Sequence, residues 1–142
     1  MESRISIITL GVHDLERSYQ FYHHGLGFPT TWKPEQGIIF FQTGGVRLAL
    51  YPYDNLAEDV DPNLPKERSR FSGITLAHNT RTQNQVDEVL TLAEKAGGKI
   101  EKPAQMVHWG GYSGYFSDPD GYLWEVAWSG NWEFNEDGSL VV

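Results

Sequence analysis

The sequence predicts an α+β protein of two βαβββ modules whose curved mixed sheets close around a cleft. Three observations predict it. The order strand, helix, strand, strand, strand occurs twice in 142 residues. The two openings can be laid together, Ile8-Thr9-Leu10-Gly11 against Ile74-Thr75-Leu76-Ala77. The last pair of strands is joined by Asp118-Pro119-Asp120-Gly121, in which proline sets φ and glycine tolerates a positive one. An internal repeat of this kind is the most informative feature at this scale. One domain is expected, with module 1 at about 4–52, a linker at about 53–70, module 2 at about 71–129 and a tail at 130–142.

The elements follow in order. Ile5 to Val12 is rich in β-branched residues and reads as a strand. Asp14 is its helix N-cap candidate, with Arg17 where a capping box would place Glu. Leu15, Ser18, Tyr19 and Tyr22 recur at helical spacing, and Gly25 and Gly27 end the helix. Phe28 to Trp32, Gly37 to Gln42 and Val46 to Tyr51 read as strands, the last two joined at Gly44-Gly45. Pro52 to Arg70, with Pro52, Pro62 and Pro65, reads as a linker holding at most one short helical turn.

The second copy starts with a strand from Gly73 to His78. Asn79, Thr80 and Thr82 offer helix caps. Val86, Val89, Leu90 and Ala93 form an apolar stripe that Gly97-Gly98 ends. Lys99 to Gln105 contains Pro103, which implies an edge strand or a bulge. Gly111 to Ser117 and Tyr122 to Trp128 complete the set.

Composition narrows the function. With no cysteine, disulfides, thiolate metal sites and Cys nucleophiles are excluded. A formal net charge of −8 argues against nucleic-acid binding. The one basic cluster, Lys66, Arg68 and Arg70, reads as a solvated linker. No apolar run approaches the length of a membrane span, and the first residues lack the layout of a signal peptide. A cytoplasmic location with no membrane partner is expected.

Thr9-Leu10-Gly11-Val12-His13-Asp14-Leu15-Glu16-Arg17-Ser18, then Phe21-Tyr22 and Leu26-Gly27-Phe28, resembles the opening of vicinal oxygen chelate proteins, the glyoxalase, bleomycin-resistance and dioxygenase class. Ala96-Gly97-Gly98, Gly114-Tyr115-Phe116 and Asp118 to Glu125 resemble the later parts of that pattern. The resemblance covers about residues 4 to 129. It implies one divalent ion held by four side chains, from the first and last strand of each half. Those positions fall at Ile7, Ala49, Gly73 and Glu125. Only Glu125 carries a donor, and a metal site needs three protein ligands or more. Shifting by one residue offers Ile8, Leu50, Ser6 and Ser72, which are no better. His78 falls on the opposite strand parity from Gly73. No metal and no other cofactor is therefore expected.

Other candidates remain. His23 and His24 are adjacent on a helix and point about 100° apart, so they read as surface residues. Gly111-Tyr112-Ser113-Gly114 is not a nucleophile elbow, because Tyr115 stands where glycine is required. Asp118 and Asp120 read as turn caps. His108 lies in a glycine-rich loop that, in this fold, borders the cleft, and it is a candidate ligand or acid–base group. Glu125 shares strand parity with Leu123 and Ala127, against bulky Trp124 and Trp128, so it should face the cleft. There it could act as acid, base or ligand anchor.

Two functions are open. One is binding of a small, partly aromatic molecule without metal, with Trp32, Tyr51, Trp109, Tyr112 and Tyr115 as stacking walls. The other is a glyoxalase-type lyase or isomerase using Glu125 and His108, or a ring-cleaving dioxygenase whose ligands lie elsewhere. By analogy with the class, a homodimer is expected.

Overall fold

A computed structural model describes residues 1–3, 5–61, 63 and 71–141. The chain divides into two compact units, Met1–Ser72 and Gly73–Val142. The basic cluster Lys66, Arg68 and Arg70 lies outside the described residues.

The first unit opens with strand β1 (Ile7–Val12). Asp14 caps helix α1 (Leu15–Tyr19), its Oδ1 accepting from the Arg17 amide at 2.9 Å. A π-helical stretch, Gln20–Gly25, carries the helix on. Strands β2 (Ile39–Phe41) and β3 (Arg47–Pro52) follow. The sheet order is β1-β3-β2, with β1 parallel and β2 antiparallel to β3. Leu10, Val12, Leu48, Leu50, Ile39 and Phe41 share one face and are buried. Tyr22 of the π-helical stretch packs on that face, 5.7 Å from the Phe41 ring.

Two expectations for this unit are corrected. Phe28 to Trp32 forms no strand. Pro29 has no amide to give a ladder. The segment is tied beside β2 by the Gln42 amide on the Pro29 carbonyl and by Thr30 Oγ1 on the Phe40 carbonyl. The presumed linker instead begins with helix α2 (Tyr53–Val60). It packs across the sheet face opposite α1. A Cβ on Gly11 would sit 2.9 Å from Tyr53 Cδ2 and 3.3 Å from Leu56 Cδ2.

The second unit has a four-stranded sheet in the order β4-β7-β6-β5. Its strands are β4 (Thr75–Asn79), β5 (Lys99–Met106), β6 (Tyr112–Ser117) and β7 (Leu123–Trp128). β4 is parallel to β7 and the other pairs are antiparallel. Helix α3 (Gln83–Lys95) starts at Thr82, where a capping box is completed by Gln85. β5 is the edge strand that Pro103 implied, and its register against β6 shifts twice.

Paired residues share a face, so the register sorts the sheet's two sides. Gly114, Phe116, Trp124 and Val126 face α3, and an added Gly114 Cβ would lie 2.7 Å from Leu90 Cδ1. Phe116 and Trp124 stack nearly parallel, 6.0 Å apart. Ser113, Tyr115, Ser117, Leu123, Glu125 and Ala127 take the other side. In the closing turn Asp118 Oδ1 accepts from the amides of Asp120 and Tyr122, and Gly121 has φ +85°. Asp118 therefore caps backbone, as its turn context implied. The expected tail forms a hairpin of β8 (Glu133–Phe134) and β9 (Leu140–Val141). Among the described residues no helix is long and apolar enough to cross a membrane.

Candidate functional site

The α3-distal face of the second sheet carries the densest polar arrangement among the candidates. The ladder sets Ser117 opposite Leu123 and Tyr115 opposite Glu125, with Asp118 to Tyr122 between the strands. The Tyr115 hydroxyl donates to the Glu125 carboxylate. Burial first, then this bond and the carboxylate's charge, hold the Tyr115 pKa above the ordinary tyrosine value. Lys102 Nζ lies 5.9 Å from the Tyr115 ring centroid, within reach of a cation–π contact. One step along the ladder, Ser117 Oγ donates to Glu101 Oε1 at 2.8 Å, and Lys99 Nζ donates to Glu101 at 3.0 Å. On the β4 side Thr75 and Ala77 are small, and Ala77 is the direct neighbour of Glu125.

The chemistry of this face follows from its atoms. Glu125 is half-buried and faces the Tyr115 phenol across the ladder. Its carboxylate retains further acceptor sites. A ligand with an N–H or O–H donor would complete them.

The other candidates are placed differently. Tyr112 is on the α3 side, its hydroxyl donating to Asp87 Oδ1 at 3.1 Å. His108 and Trp109 sit in the turn between β5 and β6, which is closed by the Val107 amide on the Gly111 carbonyl. Trp109 stacks on Trp132 at 5.8 Å, and its indole covers Gly111 so closely that a Cβ there would fall 1.7 Å away. Tyr112 is three ladder positions from Tyr115, roughly 10 Å of strand, and His108 is farther still. The structure thus brings Glu125 and Tyr115 together and leaves His108 apart from them. In the first unit, Tyr51 pairs with Gly11 on the side that α2 covers. Trp32 donates through Nε1 to the Gln36 carbonyl and leans on Tyr19 at 4.8 Å.

The metal positions can be tested on their side chains. Ile7 and Ala49 share the α1-distal face of the first sheet, and Gly73 precedes β4 with φ +78°. None offers a ligand atom. No group of three or more His, Cys, Asp or Glu is placed to hold an ion among the described residues. These positions do not fit a family-type divalent metal.

The Tyr115–Glu125 pairing was not among the expected contacts: strands ending at Ser117 and starting at Tyr122 would set Tyr115 opposite Trp124, and the observed register differs from that by one residue, with Ser117 opposite Leu123.

Residues 4–126 match the Glyoxalase/Bleomycin resistance protein/Dioxygenase superfamily, and the chain belongs to that family. It is similar to a glyoxalase-related enzyme from Fulvimarina pelagi, at 36% identity and TM-score 0.87, covering 99% of this chain and 98% of that one. It is 29% identical to the uncharacterized protein YraH of Bacillus subtilis (strain 168), over 84% of this chain and 93% of YraH. A lactoylglutathione lyase from Agrobacterium tumefaciens shares the fold, with TM-score 0.69 and 24% identity over 95% of this chain and all of that one. The fold class read from the repeat is therefore the observed one.

Proposed function

We propose that the protein binds a small, partly aromatic molecule on the α3-distal face of its second sheet, using Glu125 in place of the family's metal as the polar anchor. The observation that carries this reading is the Tyr115–Glu125 hydrogen bond at a position where the other three donor positions are Ile7, Ala49 and Gly73. A metal-centred site orients its ligand through open coordination positions. Here a carboxylate fixed by a phenol would orient the ligand through a charge-assisted hydrogen bond. Apolar walls with few polar anchors are the usual composition of a small-molecule site.

Glyoxalase-type lyase or isomerase chemistry is the alternative. It would need a second acid–base group beside Glu125, and Tyr115, held protonated, is nearer than His108. Ring-cleaving dioxygenase chemistry has less support, because the donor set for its metal is missing. The exposed Ile5, Ile7 and Phe40 support the expected pairing of two copies; light scattering that reports a monomer at micromolar concentration overturns it.

Elemental analysis tests the anchor. No stoichiometric Zn, Ni, Mn or Fe is expected, and one tightly held ion per chain, lost in Glu125→Ala, overturns the reading. For any ligand recovered with the purified protein, Glu125→Gln should weaken binding by roughly 1.5–3 kcal/mol. An unchanged affinity overturns it equally.

A further inference from the structure

The other side of the second sheet holds a cavity of about 340 Å³ that the Glu125 site does not use. Its walls come from the end of β4 (His78), the connector to α3 (Arg81), the first turns of α3 (Glu88 and Val89) and the C-terminal hairpin (Phe134). His78 pairs with Val126 in the ladder and so lies on the face opposite Ala77 and Glu125. The volume is at the lower end of ligand pockets, which suits a molecule of few atoms.

Its charges are set but not spent. The Arg81 guanidinium is pinned over the Phe134 ring at 4.9 Å and donates one bond to the Asn135 carbonyl at 3.1 Å. That leaves most of its five donors open. No carboxylate pairs with it among the described residues, and Glu88, on the same cavity, makes no ion pair or hydrogen bond there. One wall thus offers a fixed cation and another a free carboxylate, with Val89 as an apolar surface between polar neighbours.

We infer that this cavity is a second binding site, for a small zwitterion of the α-amino-acid type with an apolar side chain. The ligand carboxylate would take the open Arg81 donors. Its ammonium would meet Glu88. Its side chain would rest on Val89 and the edge of Phe134. A simple anion would leave Glu88 unanswered, and a simple cation would face Arg81.

The test is an amide-shift titration of the full chain with L-leucine, 4-methylpentanoate and 3-methylbutylamine. L-Leucine should saturate shifts around Arg81, Glu88 and Val89 in the millimolar range. The two one-charge analogues should bind about ten-fold more weakly or not at all. Glu88→Gln should weaken L-leucine about ten-fold and leave 4-methylpentanoate no weaker. Arg81→Gln should weaken both, but Arg81 also ties down the hairpin, so the Glu88 variant is the cleaner measurement. Three results overturn the inference: no saturable shift with L-leucine, equal binding of the acid and the amino acid, or an affinity indifferent to Glu88→Gln.

Discussion

The two sheets begin alike and differ on the face turned away from their first helices. In the first unit that face mixes Ile7, Ala49 and Phe40 with Thr9 and Arg47, carries no carboxylate among the described residues, and has α2 across it at Gly11. In the second it carries Tyr115 with Glu125 and Ser117 with Glu101, and Lys102 lies over the Tyr115 ring. Helix-facing positions are apolar in the first unit, and in the second Phe116, Trp124 and Val126 keep that pattern beside Tyr112 and His78. The repeat has kept most of the packing pattern, which sets the fold, and the carboxylate–hydroxyl pairs on the helix-distal face occur in the second half.

The comparison breaks most visibly in the packed layer. Phe116 is 2% exposed and stacks on Trp124, so Phe116→Ala should cost roughly 3–5 kcal/mol in denaturant unfolding. A loss under 1 kcal/mol would mean the ring is not part of the core. The two close-approach glycines should then differ. A Cβ on Gly114 meets backbone, Ala104 N and Lys102 O both at 2.9 Å, and neither can swing away. Gly114→Ala should cost about 1–3 kcal/mol. At Gly11 the nearest atom is a Tyr53 ring carbon, which can turn, so Gly11→Ala should cost less. Equal losses would show α2 to be as rigid as the β5–β6 ladder.

The polar face is sharpened by titration. The folded pKa of Tyr115 is raised, so the folded state holds its proton longer than the unfolded chain does. The resulting stability is present below the ordinary tyrosine value of about 10 and is lost as pH rises through the folded value. Tyr115→Phe should remove that alkaline loss, read as a smaller fall in Tm between neutral and alkaline pH. Glu125→Gln should let the phenol ionise earlier in an ultraviolet titration. A late-titrating tyrosine that is indifferent to Glu125→Gln would show that the pair does not govern this face.

What was legible in the sequence follows from where the signal is local. The Asp118–Gly121 turn marked the β6–β7 hairpin, and strand alternation put Glu125 on the side away from Trp124 and α3. Thr82, one of three cap candidates with Asn79 and Thr80, stands at the start of α3. The strand expected at Phe28 to Trp32 failed because β propensity does not reveal a missing amide at Pro29. Helix α2 was hidden by the prolines around it, since Pro52 sits at its N-cap, before the first turn, where proline costs nothing. The cavity that holds Arg81 and Glu88 was out of reach, because Arg81 and Phe134 meet only through the hairpin's tertiary contact.

The smallest expected effect tests the repeat itself. Laying Ile8 on Ile74 puts His78 where the first unit has Val12, which is 1% exposed. His78 is itself exposed at the edge of the cavity, and partial desolvation there lowers its pKa below the ordinary histidine value. The charged groups on the same cavity are Arg81, which opposes its protonation, and Glu88, which favours it. A lowered folded pKa means that the unfolded chain takes up the proton first. The stability tied to neutral His78 is therefore present above about pH 6.5 and is lost as pH falls through the folded value. His78→Val restores the residue of the first repeat and removes that proton uptake. The variant should melt close to the parent at neutral pH and slightly above it near pH 5, where histidine is ordinarily charged. Thermal melts at the two pH values measure the difference directly. A parent whose melting point is no more acid-sensitive than the variant's would mean that His78 protonates without cost.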